Sequence, residues 1–159
     1  MRKRKFAVSP WDQAVAELAG KTSKSVLVRW AADCAERALP FFETRFPGDS
    51  RPREAITACR EWVRTGVFVM KDVRAVSLGA HAAAREVEHD DAARSAARAA
   101  GQAIAATHVP AHAIAAAIYA ATAFRDASPP ENAADATLRE RAWQYRHLQD
   151  LREEHGSGE

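Results

Sequence analysis

Cysteine is nearly absent from this chain: Cys34 and Cys59 are the only two in 159 residues, and no C-x-x-C spacing links them. That removes a disulfide framework and a thiolate metal knuckle as organising devices. The expectation is two buried, reduced thiols in a cytosolic protein. Long apolar runs are missing too. The longest, Ala99–Phe124, is interrupted by Gln102, His108, Pro110 and His112 and is rich in Ala rather than Leu, so it does not read as a membrane span. The opening MRKRK looks like the start of an export signal, but FAVSPWDQAVAE follows it in place of the roughly 7–15-residue apolar core such a signal needs.

Charge of one sign is also in short supply. The formal net charge is +2, and Arg2, Lys3, Arg4 and Lys5 alone contribute four positives. The body of the chain is therefore close to neutral. It lacks the acidic excess of a nucleic-acid mimic, and a basic tail by itself is a weak attractor for nucleic acid or a membrane surface. Catalytic signatures are missing as well: there is no Gly-rich phosphate loop, no G-x-S-x-G and no H-E-x-x-H, so no reaction class and no cofactor follow from spacing.

What is present is alanine. Between Ala80 and Ala123, 21 of 44 residues are alanine. Alanine is the best helix former, and helices lined by it can approach closely without freezing rotamers. No segment alternates with period two for long, so the fold expected is all-α: a compact single-domain bundle of six to seven helices with an Ala-rich centre. The division expected is a basic segment and short helix over 1–22, a helical domain over 23–154 and a loose tail over 155–159.

Local signals place the elements. A first helix covers Trp11–Leu18 and ends at Gly20. The second, capped by Ser23 or Ser25, carries the stripe Leu27, Trp30, Ala31, Cys34, Ala38 and Phe42, and Pro40 should kink or end it. Pro52 suits the first turn of a third helix, whose buried face is Ile56, Cys59, Trp62 and Val63 and whose stop is Gly66. VFVM (Val67–Met70) reads as a connector. Asp72 is the expected cap of a fourth helix to about Glu88, and an aspartate of His89-Asp90-Asp91 the cap of a fifth, Ala92–Ala106. A sixth runs from near Pro110 to Phe124, and Ser128-Pro129-Pro130-Glu131 fits a capping box before a seventh that ends near Glu154. The fourth, fifth and sixth helices should form the tight centre, with the four Trp residues supplying bulk.

Polar groups set into small-residue surroundings are the candidate binding residues: His81, Arg85, His108 and His112. With Thr107 or Val109 as cap, His108 and His112 sit by a helix N-terminus, and in the first case they share a face. H-x-x-x-H is a plausible metal pair, but it needs a third ligand, for which Asp33, Cys34, His81 and His147 are the candidates. The alternative to a partner-binding role is therefore a metal or small-ligand site at His108/His112. Asp33 with Arg29 and Arg37 would make ordinary i,i+4 surface pairs.

WAADCAERALPFFE (Trp30–Glu43), RPREAITACREW (Arg51–Trp62), HAAARE (His81–Glu86), ARSAARAAGQAIAATHVPAHAIAAAIYA (Ala93–Ala120) and RERAWQYRHLQDLR (Arg139–Arg152), in this order and spacing, resemble the immunity-protein-five-like group of bacterial polymorphic toxin systems. The resemblance spans about residues 25–152. It implies an all-helical cytosolic protein, not an enzyme, that binds a cognate toxin and blocks it. It carries over no binding residues.

Overall fold

The computed structural model describes residues 3–157; Arg2 of the basic run and Gly158 and Glu159 of the predicted tail lie outside them. Its helices are α1 (Asp12–Gly20), α2 (Lys24–Ala38), the single turn α3 (Pro40–Glu43), α4 (Arg51–Thr65), α5 (Met70–Glu86), α6 (Asp91–Ala105), α7 (His112–Ala127) and α8 (Ala133–Ser157), the last preceded by a 3-10 turn at Pro130–Asn132. There is no strand among the described residues, and the protein is an all-α bundle.

The centre is α6 against α7, with α2 laid across both, α4 and α5 flanking α6, and α8 closing over α1, α2 and α7. Ten of the fifteen residues of α6 are buried, eight of them Ala or Gly, and the buried face of α7 is alanine apart from Thr122. Trp30, Leu39, Phe42, Ile56 and Leu148 fill the space around this pair. The expected centre of three neighbouring helices is thus shifted. The edge helix is α5, with three buried residues in seventeen, all in its C-terminal half; α2, with nine, takes its place.

The predicted stripe of α2 is buried throughout, and Pro40 does end that helix, restarting the chain as α3. Gly66 closes α4 in the left-handed region (φ 70°), donating its N–H to the Trp62 carbonyl at 2.7 Å. Asp90 caps α6, its Oδ1 accepting from the Ala93 N–H at 2.9 Å. Several boundaries differ from expectation, among them the end of α7, which runs to Ala127. α5 starts at Met70 after an extended Val69, which leaves Asp72 in the first turn rather than at the cap. α7 starts at His112 with Ala111 as cap. Thr107 is not free to cap it, because its hydroxyl closes the end of α6 on the Ile104 carbonyl (2.7 Å); Val109, preceding Pro110, is steered away from helix. The capping box does not form: Ser128 turns back to donate to the Phe124 carbonyl of α7 (2.9 Å). α8 continues past Glu154 to Ser157.

The N-terminal segment lies against the bundle. The Ala7 N–H donates to Thr122 Oγ1 (3.0 Å), Phe6 meets Tyr119 edge-on (ring centroids 5.1 Å apart), and Lys3 pairs with Asp91 (2.7 Å) and Asp126 (3.3 Å).

Candidate functional site

Three of the four predicted polar residues come together where α5, α6 and α7 meet. His81 of α5 rests on Gly101 of α6, and Arg98 donates to its Nδ1 at 2.8 Å. A guanidinium only donates, so Nδ1 is an acceptor and the ring is neutral. Burial, then the nearby charges of Arg98, Arg85 and His112, lower the His81 pKa to about 4. Arg85 stands exposed beside it. His112, the first residue of α7, donates from Nδ1 to Gln102 Oε1 at 2.7 Å. His108 is elsewhere in kind: it lies outside the helix, in the turn after α6, stacked on Phe68 (centroids 5.7 Å apart, 21° between planes).

His108 and His112 nevertheless line one shallow groove of about 200 Å³, together with Met70, Val73, Ser77 and Leu78. His81 is not among its lining residues; its ring faces Arg98. The proposed third metal ligands are not assembled there. Asp33 accepts from His147 Nε2 at 2.7 Å across α2 and α8, and Cys34 is fully buried in the core. Among the described residues no three His, Cys, Asp or Glu side chains are placed to hold one ion. Burial pushes the Cys59 thiol up to about 12 and that of Cys34 well above its usual range, so neither is poised as a nucleophile.

A second feature of this end of the molecule is apolar. Val67, Phe68, Val69, Leu78 and Val109 are exposed, five of the seven large hydrophobic side chains that are exposed among the described residues. They come from the α4–α5 loop, the poorly covered first half of α5 and the α6–α7 loop. The 200 Å³ groove adjoins another of about 360 Å³ lined by Trp62, Val67, Val69 and Val76, and Val73 belongs to both. Contiguous exposed apolar surface of this kind marks interaction sites in soluble proteins. In the sequence its one trace is VFVM, a β-branched and aromatic run in a position where a loop would ordinarily be polar.

A family model described as "Imm-5 like putative immunity protein" matches residues 17–151. The chain belongs to this family. No curated protein and no solved structure matches it.

As a member of an immunity-protein family it has two contrasting polar surfaces. That of α2, α4 and α8 is saturated with internal pairs. Arg37 grips the almost fully buried Glu140 through two hydrogen bonds (2.8 and 2.9 Å) and lies 3.9 Å over Trp143, which stacks on His147. Asp33 joins Arg60 (2.9 Å) and His147, and Arg53 joins Glu36 and Glu43. The expected i,i+4 pairs of Asp33 with Arg29 and Arg37 are replaced by these ties between helices; Arg29 goes to Glu154 instead. Beneath them Arg141 binds Asp12 and Gln144, and Gln144 reaches the Ala117 carbonyl, so every buried polar side-chain atom among the described residues has a partner. These groups hold helices together. By contrast, Arg74 near the start of α5 has no side-chain partner among the described residues and lines the groove of His108 and His112.

Proposed function

We propose that this protein neutralises a cognate bacterial toxin in the cytoplasm by occlusion, docking on it through the edge formed by the α4–α5 loop, the first half of α5 and the α6–α7 turn. The observation that carries this reading is the gathering of Val67, Phe68, Val69, Leu78 and Val109, five of the seven exposed large hydrophobic side chains among the described residues, along one edge of the molecule. Membership in the immunity family supplies the class of partner. Inhibition then needs shape and no chemistry: an interface of about 1,600 Å² in total would suffice, with a central apolar cluster and a polar rim. His108 and His112 border that cluster and Arg74 stands beside them; we read the two histidines as polar contacts of the interface rather than as a metal pair. His81 and Arg85 sit behind them as supporting groups.

The test is co-expression with the toxin encoded beside the gene. Growth protection together with co-purification of a complex is the expected result. A toxin that still kills, and does not bind, would refute the reading.

A further inference from the structure

A cavity of about 520 Å³ is distinct from the apolar edge. It lies where the N-terminal segment meets α6 and α7. Lys3, Arg4 and Lys5 line it from the segment, Arg94 and Arg98 from α6 and Arg125 from α7. Only two carboxylates, Asp91 and Asp126, face these six cations. The local excess of positive charge exceeds that of the whole chain, +2, so the rest of the molecule is net acidic and the basic character is concentrated here.

The pairing inside the cavity is incomplete in a specific way. Asp91 and Asp126 are taken up by Lys3, Arg94 and Arg125. Arg98 and Arg4 have no carboxylate among the described residues. Arg98 is half-buried, and the one side-chain contact that fixes it is the hydrogen bond to His81, a neutral acceptor. A guanidinium held by an uncharged group keeps its full charge and most of its donors for something else. Ser95 and Tyr119 add hydroxyls to the same wall.

We propose that this cavity binds a small phosphate-bearing anion of two or more negative charges, with the Arg98 guanidinium as its central contact and Arg4 and Lys5 as flanking ones. Size fits, since small-molecule sites run from about 300 to 1,000 Å³. Geometry favours phosphate over carboxylate. The cations approach from three separate elements, which a tetrahedral polyphosphate can meet on several sides, whereas a single carboxylate is satisfied by one arginine fork. The charges converge on one concavity instead of following a stripe, as a nucleic-acid backbone would require. His81 acts here as a positioning residue, seated on Gly101 and holding the Arg98 guanidinium. The proposal does not rest on the toxin-binding reading.

Calorimetric titration of the full chain with pyrophosphate and with ATP, at constant physiological ionic strength, tests it. Saturable one-to-one binding of at least one is expected, weakened roughly tenfold or more by Arg98→Gln, as loss of a charge-assisted contact implies. Arg4→Gln, an exposed change that cannot unfold the bundle, should weaken it severalfold, and Leu78→Asp should leave it unchanged. ATP binding more tightly than pyrophosphate assigns a nucleoside to the wall at Tyr119; equal affinities assign the site to phosphate alone. Absence of saturable binding to both, or binding indifferent to Arg98→Gln and Arg4→Gln, overturns the proposal. So does a single-stranded oligonucleotide that outcompetes ATP, which would make the surface a nucleic-acid contact.

Discussion

His81 lies so close to Gly101 that a Cβ on the glycine would stand 2.7 Å from the imidazole Nε2. The glycine is what lets a polar ring of the edge helix settle onto the most tightly packed helix of the bundle. Replacing it with alanine sets two effects against each other. Helix propensity improves by roughly 1 kcal/mol, while the ring must swing away and release Arg98. Because the ring is the free end of a side chain, the helices need not move. Gly101→Ala is expected to change the melting temperature by no more than about 4 °C, while the His81 pKa, followed by NMR, climbs toward its ordinary value. A fall of more than about 10 °C would mean that the helices, and not the ring, had given way.

The same histidine predicts a pH dependence. Its pKa is lowered to about 4 in the fold from the usual 6.5. Between those values the unfolded chain binds a proton that the native ring refuses, so the stabilisation is complete above about pH 6.5 and is lost as pH falls toward 4. The ring is only partly buried, which reduces the contribution to roughly 1–2 kcal/mol. Asp49 and Asp91, held below the ordinary carboxylate range by Arg51 and Lys3, titrate beneath this window. Denaturant midpoints measured from pH 7 to 4.5 should decline in the parent and decline less in His81→Gln; parallel curves would exclude the histidine as the cause.

On the apolar edge, Phe68→Asp and Leu78→Asp each place a charge where the side chain is already 37% and 57% exposed. Stability should shift by no more than about 0.5 kcal/mol for Leu78→Asp and by roughly 1 kcal/mol for Phe68→Asp, which also loses the stack on His108. Affinity for the cognate toxin should fall by roughly tenfold or more, since a charge in a desolvated apolar contact is costly. Retained affinity in both variants would move the interface to another face.

Arg37 and Glu140 form a different kind of pair: the carboxylate is 3% exposed and the guanidinium 40%. Removing the arginine strands a buried charge, and Arg37→Ala should cost roughly 2–4 kcal/mol, the partial access of water to the site trimming the full penalty. Adding Glu140→Gln to that variant should recover much of the loss. Arg60→Ala, at a more exposed pair, should cost about 1 kcal/mol or less. Equal losses in urea denaturation for the Arg37 and Arg60 variants would contradict this ranking.

Much of the fold was legible because helical periodicity is a local property. The stripe from Leu27 to Phe42 is buried as spaced, and Pro40, Gly66 and Asp90 act within a few residues of themselves. What escaped the sequence depends on distant partners. Nothing local distinguishes Glu140 and Arg141 from the other charges of their helix, yet Arg37 and Asp12, more than a hundred positions away, let them enter the core. Thr107 has every attribute of a cap and spends its hydroxyl on the preceding helix. His81, Arg85 and His112 stand out in the sequence as polar groups among alanines, but nothing local marks Arg98 as the hydrogen-bond partner of His81. The apolar edge was hidden for the same reason: whether Leu78 is covered depends on where α5 sits, and that is not written in its spacing.

The alanine contacts of α6 and α7 leave no room for growth. Any larger side chain there would force the axes apart, so the middle of the molecule tolerates almost no drift. The rim is held more loosely, since Val67 and Leu78 are more than half exposed. The rim can thus change one residue at a time while the scaffold stays put.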